Sequence, residues 1–63
     1  MQAKIREDII ESGLMPMTSA GTLKKYITYN AIRLSDDLEY NMVLIDPNNG
    51  DMFLVNSIDF DLI

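Results

Sequence analysis

Residues 42–55, MVLIDPNNGDMFLV, contain the clearest structural signal in this 63-residue chain, because two apolar runs surround a polar turn. Pro47 presets the backbone angle of the first turn position, and Asn49 or Gly50 can adopt the positive φ that a tight turn requires. We therefore predict a β-hairpin. Its parts are two strands and one turn: Leu38–Ile45, Met52–Ile58 and the turn from Asp46 to Asp51.

Side-chain alternation makes both faces of this hairpin apolar. One face carries Val43, Ile45, Met52 and Leu54, and the other carries Met42, Leu44, Phe53 and Val55. A hairpin with two apolar faces needs a cover on each, so we expect the helix on one face and a second protomer, a strand layer or a partner on the other. A chain this small, without Cys for disulfides or His for zinc, also favours a homodimer.

The N-terminal segment has the spacing of a helix. Ile5 and Ile9 lie at positions i and i+4, and charged residues occupy the other directions. Gly13 suits the left-handed position that follows a helix, and Pro16 prevents continuation. The pattern predicts a helix over residues 2–12.

Residues 22–34 fit two structures. Leu23, Tyr26, Ile27, Ala31 and Leu34 have helical spacing, whereas the content of β-branched and aromatic residues is typical of a strand. We favour the strand, because the hairpin offers an edge on which it can pair. In the alternative, Thr18 or Ser19 would cap a helix.

The last residues alternate apolar and acidic side chains, from Ile58 to Leu62. One interpretation is that they continue the second hairpin strand, with Asp59 and Asp61 in solvent. The other is a docking segment that adds a strand to a partner's sheet and places Phe60 and Leu62 in pockets. In either case we predict a single α+β domain over residues 1–63, an N-terminal helix followed by a three-stranded antiparallel sheet.

Charge is divided unevenly along the chain. Arg33 is the last basic residue, and seven carboxylates follow it: Asp36, Asp37, Glu39, Asp46, Asp51, Asp59 and Asp61. The net charge is −5. An acidic surface repels phosphate backbones and anionic membranes, so we expect neither as a direct partner and instead a protein with a basic surface.

No motif for catalysis, a cofactor or a metal is present in the sequence. The segment that begins at Asp46 resembles a calcium loop, but Gly50 is fifth rather than sixth, and Ser57 rather than Glu is twelfth. A chain of this size also offers little volume for a substrate pocket of about 300 Å³ or more. We predict a protein that is not an enzyme.

The function that we expect is a small, cytoplasmic, acidic protein-binding module. It would be an inhibitor or regulator that occludes a basic surface of its partner, and its carboxylates could imitate nucleic-acid phosphates. Small acidic proteins of this kind are common among the inhibitors that viruses and mobile elements encode. The predicted partner-binding residues are Asp36, Asp37, Glu39, Asp59, Phe60, Asp61 and Leu62. Two alternatives are a structural module that self-associates through Val43, Ile45, Met52 and Leu54, and a regulator that docks by strand addition.

Overall fold

The computed structural model describes residues 1–18 and 21–63 as one antiparallel sheet of five strands with a short α-helix. In chain order the elements are β1 (Gln2–Ile5), α1 (Glu7–Glu11), β2 (Tyr29–Arg33), β3 (Met42–Ile45), β4 (Met52–Val55), a 3₁₀ turn (Ser57–Asp59) and β5 (Phe60–Leu62). The strand order across the sheet is β4–β3–β2–β1–β5. The prediction of an N-terminal helix followed by a three-stranded sheet is therefore wrong, and the fold is mostly β.

The N-terminus accounts for the first difference, because the segment predicted to open a helix forms β1. Ala3 and Ile5 are buried, and the two residues that alternate with them are exposed. β1 pairs with β2 on one side and with β5 on the other. Gln2, Ala3 and Lys4 are good helix formers, but propensity is a weak determinant, and hydrogen bonds to two neighbouring strands outweigh it here. The spacing of Ile5 and Ile9 contains no information about those distant strands.

Of the helix predicted over residues 2–12, only the part from Glu7 to Glu11 forms, as α1. Ile9 and Ile10 are half-buried and pack against the core. Gly13 has φ +78° and its N–H donates to the Ile10 carbonyl at 3.1 Å, so the predicted end of the helix is correct. No helix in the described residues is long and apolar enough to cross a membrane.

The strand interpretation of residues 22–34 is confirmed for the second half of the segment, which forms β2, and the helical alternative is wrong. The first half has no regular structure, yet Leu23 is buried in the core. The Lys24 N–H donates to the Tyr29 hydroxyl at 2.8 Å and fastens this half to β2. Ser19, the alternative cap, lies outside the described residues.

The hairpin prediction is confirmed with shorter strands, β3 and β4. Their register pairs Met42 with Val55, Val43 with Leu54, Leu44 with Phe53 and Ile45 with Met52. The Asp46 N–H donates to the Asp51 carbonyl at 2.8 Å and closes the turn. Gly50, at φ +78°, is the residue that adopts the positive φ.

The short link between β4 and β5 rolls the sheet. These strands lie at opposite edges, which in a flat sheet of five strands are about 19 Å apart. Only residues 56–59 join them, and even a fully extended chain of that length reaches about 18 Å. Because residues 57–59 form a 3₁₀ turn, the real reach is shorter. The edges must therefore curl toward each other, and the extents of 28 × 26 × 23 Å agree with a rolled shape.

One interpretation of the C-terminal residues was that they continue β4, and it is wrong. The Asn56 side chain accepts a hydrogen bond from the Ile58 N–H at 3.0 Å and starts the 3₁₀ turn, which redirects the chain. Phe60 then pairs with Ile5 of β1 and is only 5% exposed. Phe60 was predicted to bind a partner, but it lies in the chain's own core.

The inner face of the rolled sheet forms the core. Its buried residues are Ala3, Ile5, Leu23, Tyr29, Ala31, Met42, Leu44, Phe53, Val55 and Phe60. The Tyr29 and Phe53 rings meet edge to face at 6.1 Å. The accessible surface is 4088 Å², and a folded monomer of this mass has about 4,100 Å². The chain thus reaches the compactness of an ordinary monomer.

The burial of Phe60 generates a stability prediction. Phe60→Ala removes a buried ring, for which we expect a loss of about 3 to 5 kcal/mol in the free energy of unfolding, enough to unfold much of a chain this small. Leu62→Ala, on the same strand at 44% exposure, should change it by about 1 kcal/mol or less. Urea unfolding followed by circular dichroism measures both, and equal effects would show that β5 is not anchored by its phenylalanine.

Candidate protein-binding face

The outer face of the sheet carries a group of apolar side chains that we call the apolar stripe. It comprises Ile32 of β2, Val43 and Ile45 of β3, and Met52 and Leu54 of β4. Ile32 pairs with Val43, which pairs with Leu54, and Ile45 pairs with Met52, so the stripe forms two adjoining rows. Ile32 is 53% exposed and Met52 is 64% exposed. The stripe therefore presents apolar surface to solvent.

Acidic loops lie at the two ends of the stripe. Residues 34–41 lead into β3 and contain three of the predicted partner-binding carboxylates, Asp36, Asp37 and Glu39, all exposed. The hairpin turn follows β3 at the opposite end, where Asp51 is exposed. Arg33 pairs with Asp36 at 2.7 Å, whereas no ion pair among the described residues reaches Asp37, Glu39 or Asp51. Uncompensated negative charge thus borders the stripe at both ends.

The remaining part of the outer face is polar. Next to the stripe, Gln2 of β1 pairs with Asn30 of β2, and both are exposed. Farther along, Lys4 of β1 stands opposite Asp61 of β5. Opposite charges on directly paired residues attract each other modestly across a sheet. The stripe is therefore confined to β2, β3 and β4.

The fold brings bases from the first half of the sequence to acids from the second. Lys24 reaches Asp46, Arg33 reaches Asp36, and Lys4 faces Asp61. Charge that is segregated along the chain is consequently interleaved in space. Of the seven carboxylates, these three have basic neighbours within the protein, so the acids do not form one continuous surface.

The predicted partner-binding residues fall into two groups on different elements. Asp36, Asp37 and Glu39 lie together in the β2–β3 loop, whereas Asp61 and Leu62 lie on β5, with β1 between β5 and β2. Asp59 ends the 3₁₀ turn, and its carbonyl accepts the Arg6 N–H at 3.0 Å. Only the loop group adjoins the apolar stripe.

Asp46 has a structural role that the sequence did not reveal. Its carboxylate is 3% exposed, accepts the Asn48 N–H at 2.8 Å and lies 3.3 Å from the Lys24 ammonium. The hydrogen bond from Asn48, assisted by Lys24, holds the pKa of Asp46 below its ordinary value, although burial acts in the opposite direction. The ion pair fastens the irregular segment around Lys24 to the hairpin turn.

A shallow cleft of about 200 Å³ opens where β1 separates from β2. Its lining combines two cations, two carboxylates and three other side chains: Lys4, Lys25, Glu7, Asp61, Ile5, Ile10 and Tyr26. Ligand pockets generally exceed about 300 Å³, so this cleft is smaller than a typical ligand pocket.

Among the described residues, no group of three His, Cys, Asp or Glu side chains is placed to hold a metal ion.

Sequence reasoning found four of the five stripe residues and missed Ile32. Val43, Ile45, Met52 and Leu54 follow from alternation inside one hairpin, where the turn sets the register. The register of β2 against β3 depends on an eight-residue loop that offers no such rule. The pairing of Lys24 with Asp46 was missed for the same reason, since nothing local connects the two residues.

The depressed pKa of Asp46 predicts a specific pH dependence. The stabilisation is present above the Asp pKa of the unfolded chain, about 3.9, and disappears as the pH falls through the lower pKa of the folded state. Asp46→Asn should therefore be less stable than the natural chain near neutral pH, and the difference should shrink toward about pH 2.

Urea unfolding across this range measures the effect, with Asp51→Asn, an exposed acid of the same turn, as the matched control. If Asp46→Asn and Asp51→Asn gave the same pH profile, the Asp46 carboxylate would have no special role.

Comparison of the chain with protein-family models, with curated proteins and with solved structures found no match.

Proposed function

We propose that this chain is a small acidic protein-binding module that occludes a basic surface of a partner protein, as an inhibitor or regulator, and that it binds through the outer face of its sheet. The observation that carries the proposal is the apolar stripe with uncompensated acids at both ends. The largest contiguous apolar patch on the surface of a monomer often serves binding. Acids around such a patch favour Lys and Arg on the partner.

Self-association through the same face is the second candidate function. The exposed apolar side chains favour it, but charge weighs against it. Two copies packed face to face with aligned strands would bring acidic loops near acidic loops, and each copy carries a charge of −5.

Strand addition through the C-terminal segment has less support. β5 is already paired along one edge with β1, and Phe60 is held in the core. A partner strand would have only the second edge of a three-residue strand for hydrogen bonding.

A cytoplasmic location is part of the same proposal. Small secreted domains commonly depend on disulfides, and this sequence contains no Cys.

The proposal predicts that two loop acids are needed for binding. We expect that Asp37→Asn with Glu39→Gln abolishes or strongly weakens capture of the partner from an extract of the native host, because the charge that steers the complex is lost. Both side chains are exposed and form no ion pair within the described residues, so folding should be unaffected. Mass spectrometry identifies the captured proteins.

Glu7→Gln with Glu11→Gln removes the same charge from α1 and is the matched control. The partner should be captured by this control and by the natural chain, and it should elute as the salt concentration rises. An identical set of captured proteins for all three chains would refute the proposal.

A further inference from the structure

We infer that the partner surface has an apolar centre flanked on two sides by Lys or Arg, rather than the evenly basic surface of a nucleic-acid channel. The inference depends on the proposed function and names the chemistry of the partner at the same face. In the complex, the apolar stripe contacts the apolar side chains of the partner. Asp37, Glu39 and Asp51 pair with the basic residues on either side of them.

The dimensions of the stripe suit a small apolar element. Its three strands span about 10 Å from the first to the third, and its two rows lie about 7 Å apart along the strands. Such an area accommodates two or three side chains from one face of a strand or helix. The acidic loops lie beyond the two ends of β3, a strand of four residues, or about 13 Å. Basic residues just outside the partner's apolar group would meet them.

The position of the acids argues against imitation of phosphates. A phosphate mimic needs carboxylates spread along the contact surface, because a nucleic-acid channel presents cations throughout its length. Here the centre of the face consists of Ile32, Val43, Ile45, Met52 and Leu54. Of the seven acids that the mimic would use, Asp36, Asp46 and Asp61 already have basic neighbours. Cations placed over the stripe would lose hydration without gaining a counter-charge.

Charge also selects this partner over a second copy of the chain. Carboxylates that form no ion pair among the described residues lie at both ends of the stripe, and the polar part of the face contributes Gln2, Asn30 and a lysine that faces Asp61. A second copy brings the same acids and therefore repulsion. A partner with Lys or Arg outside its apolar group satisfies both the stripe and the loops.

Two synthetic peptides of equal charge test the inference. Each has two lysines at either end, and the centre contains Leu and Val in the first peptide and Ser and Gly in the second. Binding to the full chain is measured by fluorescence anisotropy. We expect the peptide with the apolar centre to bind at least about tenfold more tightly, since truncating central apolar contacts generally costs a factor of this order.

Met52→Lys places a charge in the stripe on an edge strand, where the side chain is 64% exposed and folding should tolerate it. We expect it to weaken the apolar-centred peptide by about tenfold or more. Gln2→Lys is the matched control, because it adds the same charge to the same sheet face outside the stripe. It should change binding by about twofold or less. Circular dichroism checks that both variants fold.

The outcomes separate the inference from the proposed function. If the two peptides bind equally and Met52→Lys has no effect, while Asp37→Asn with Glu39→Gln still weakens both, the inference fails. The part of the proposed function that survives is the occlusion of a basic surface through the loop acids. If neither peptide binds, or if the acidic loop variant has no effect on either, both fail. If light scattering shows a dimer that Met52→Lys converts to a monomer, a second copy occupies the stripe and the inference is overturned.

Discussion

The reach of the four residues between β4 and β5 is the constraint on which the molecule depends. Because strands at opposite edges of the sheet are joined by so short a link, the sheet has to roll. Rolling creates an inside, filled by Tyr29, Met42, Leu44 and Val55, and an outside that includes the apolar stripe. One face of the hairpin is therefore buried in the core, and the other face remains exposed and can contact another molecule.

The sequence was informative wherever structure is set by neighbours along the chain. The hairpin at residues 42–55 and the end of α1 at Gly13 depend on turn chemistry and alternation within a few residues. β1 was predicted wrongly as a helix, and β5 as a continuation of β4 or a docking segment, because each of the two segments forms a strand by pairing with the other. Ile5 pairs with Phe60, which lies at the far end of the chain. Local patterns contain no record of such pairings, and a segment such as residues 2–5 is compatible with either structure.

The same distinction applies to the candidate site. Four stripe residues followed from the hairpin alone, whereas the arrangement of charge did not follow from the linear division at Arg33. Folding places cations of the first half beside acids of the second, and Lys24 with Asp46 shows that such a pair can fasten an irregular segment to a turn. What remains exposed is a smaller set of acids, placed at the ends of an apolar surface. Because fewer acids remain exposed and they flank apolar side chains, we expect a partner surface that is apolar at its centre and basic at its sides, and not a channel that binds polyanions.

The position of β1 between β2 and β5 has a consequence for how the protein folds. β3 and β4 are joined by a tight turn and can pair as soon as both have been synthesised, since closing a short loop is fast. β1 is the first strand in sequence, yet its pairing with β5 has to bring together residues 5 and 60. Contacts between such distant residues are the slow ones in small β proteins. The edge of the sheet formed by β5 is therefore completed after the hairpin at the opposite edge, and until then β1 exposes backbone groups that other chains can pair with.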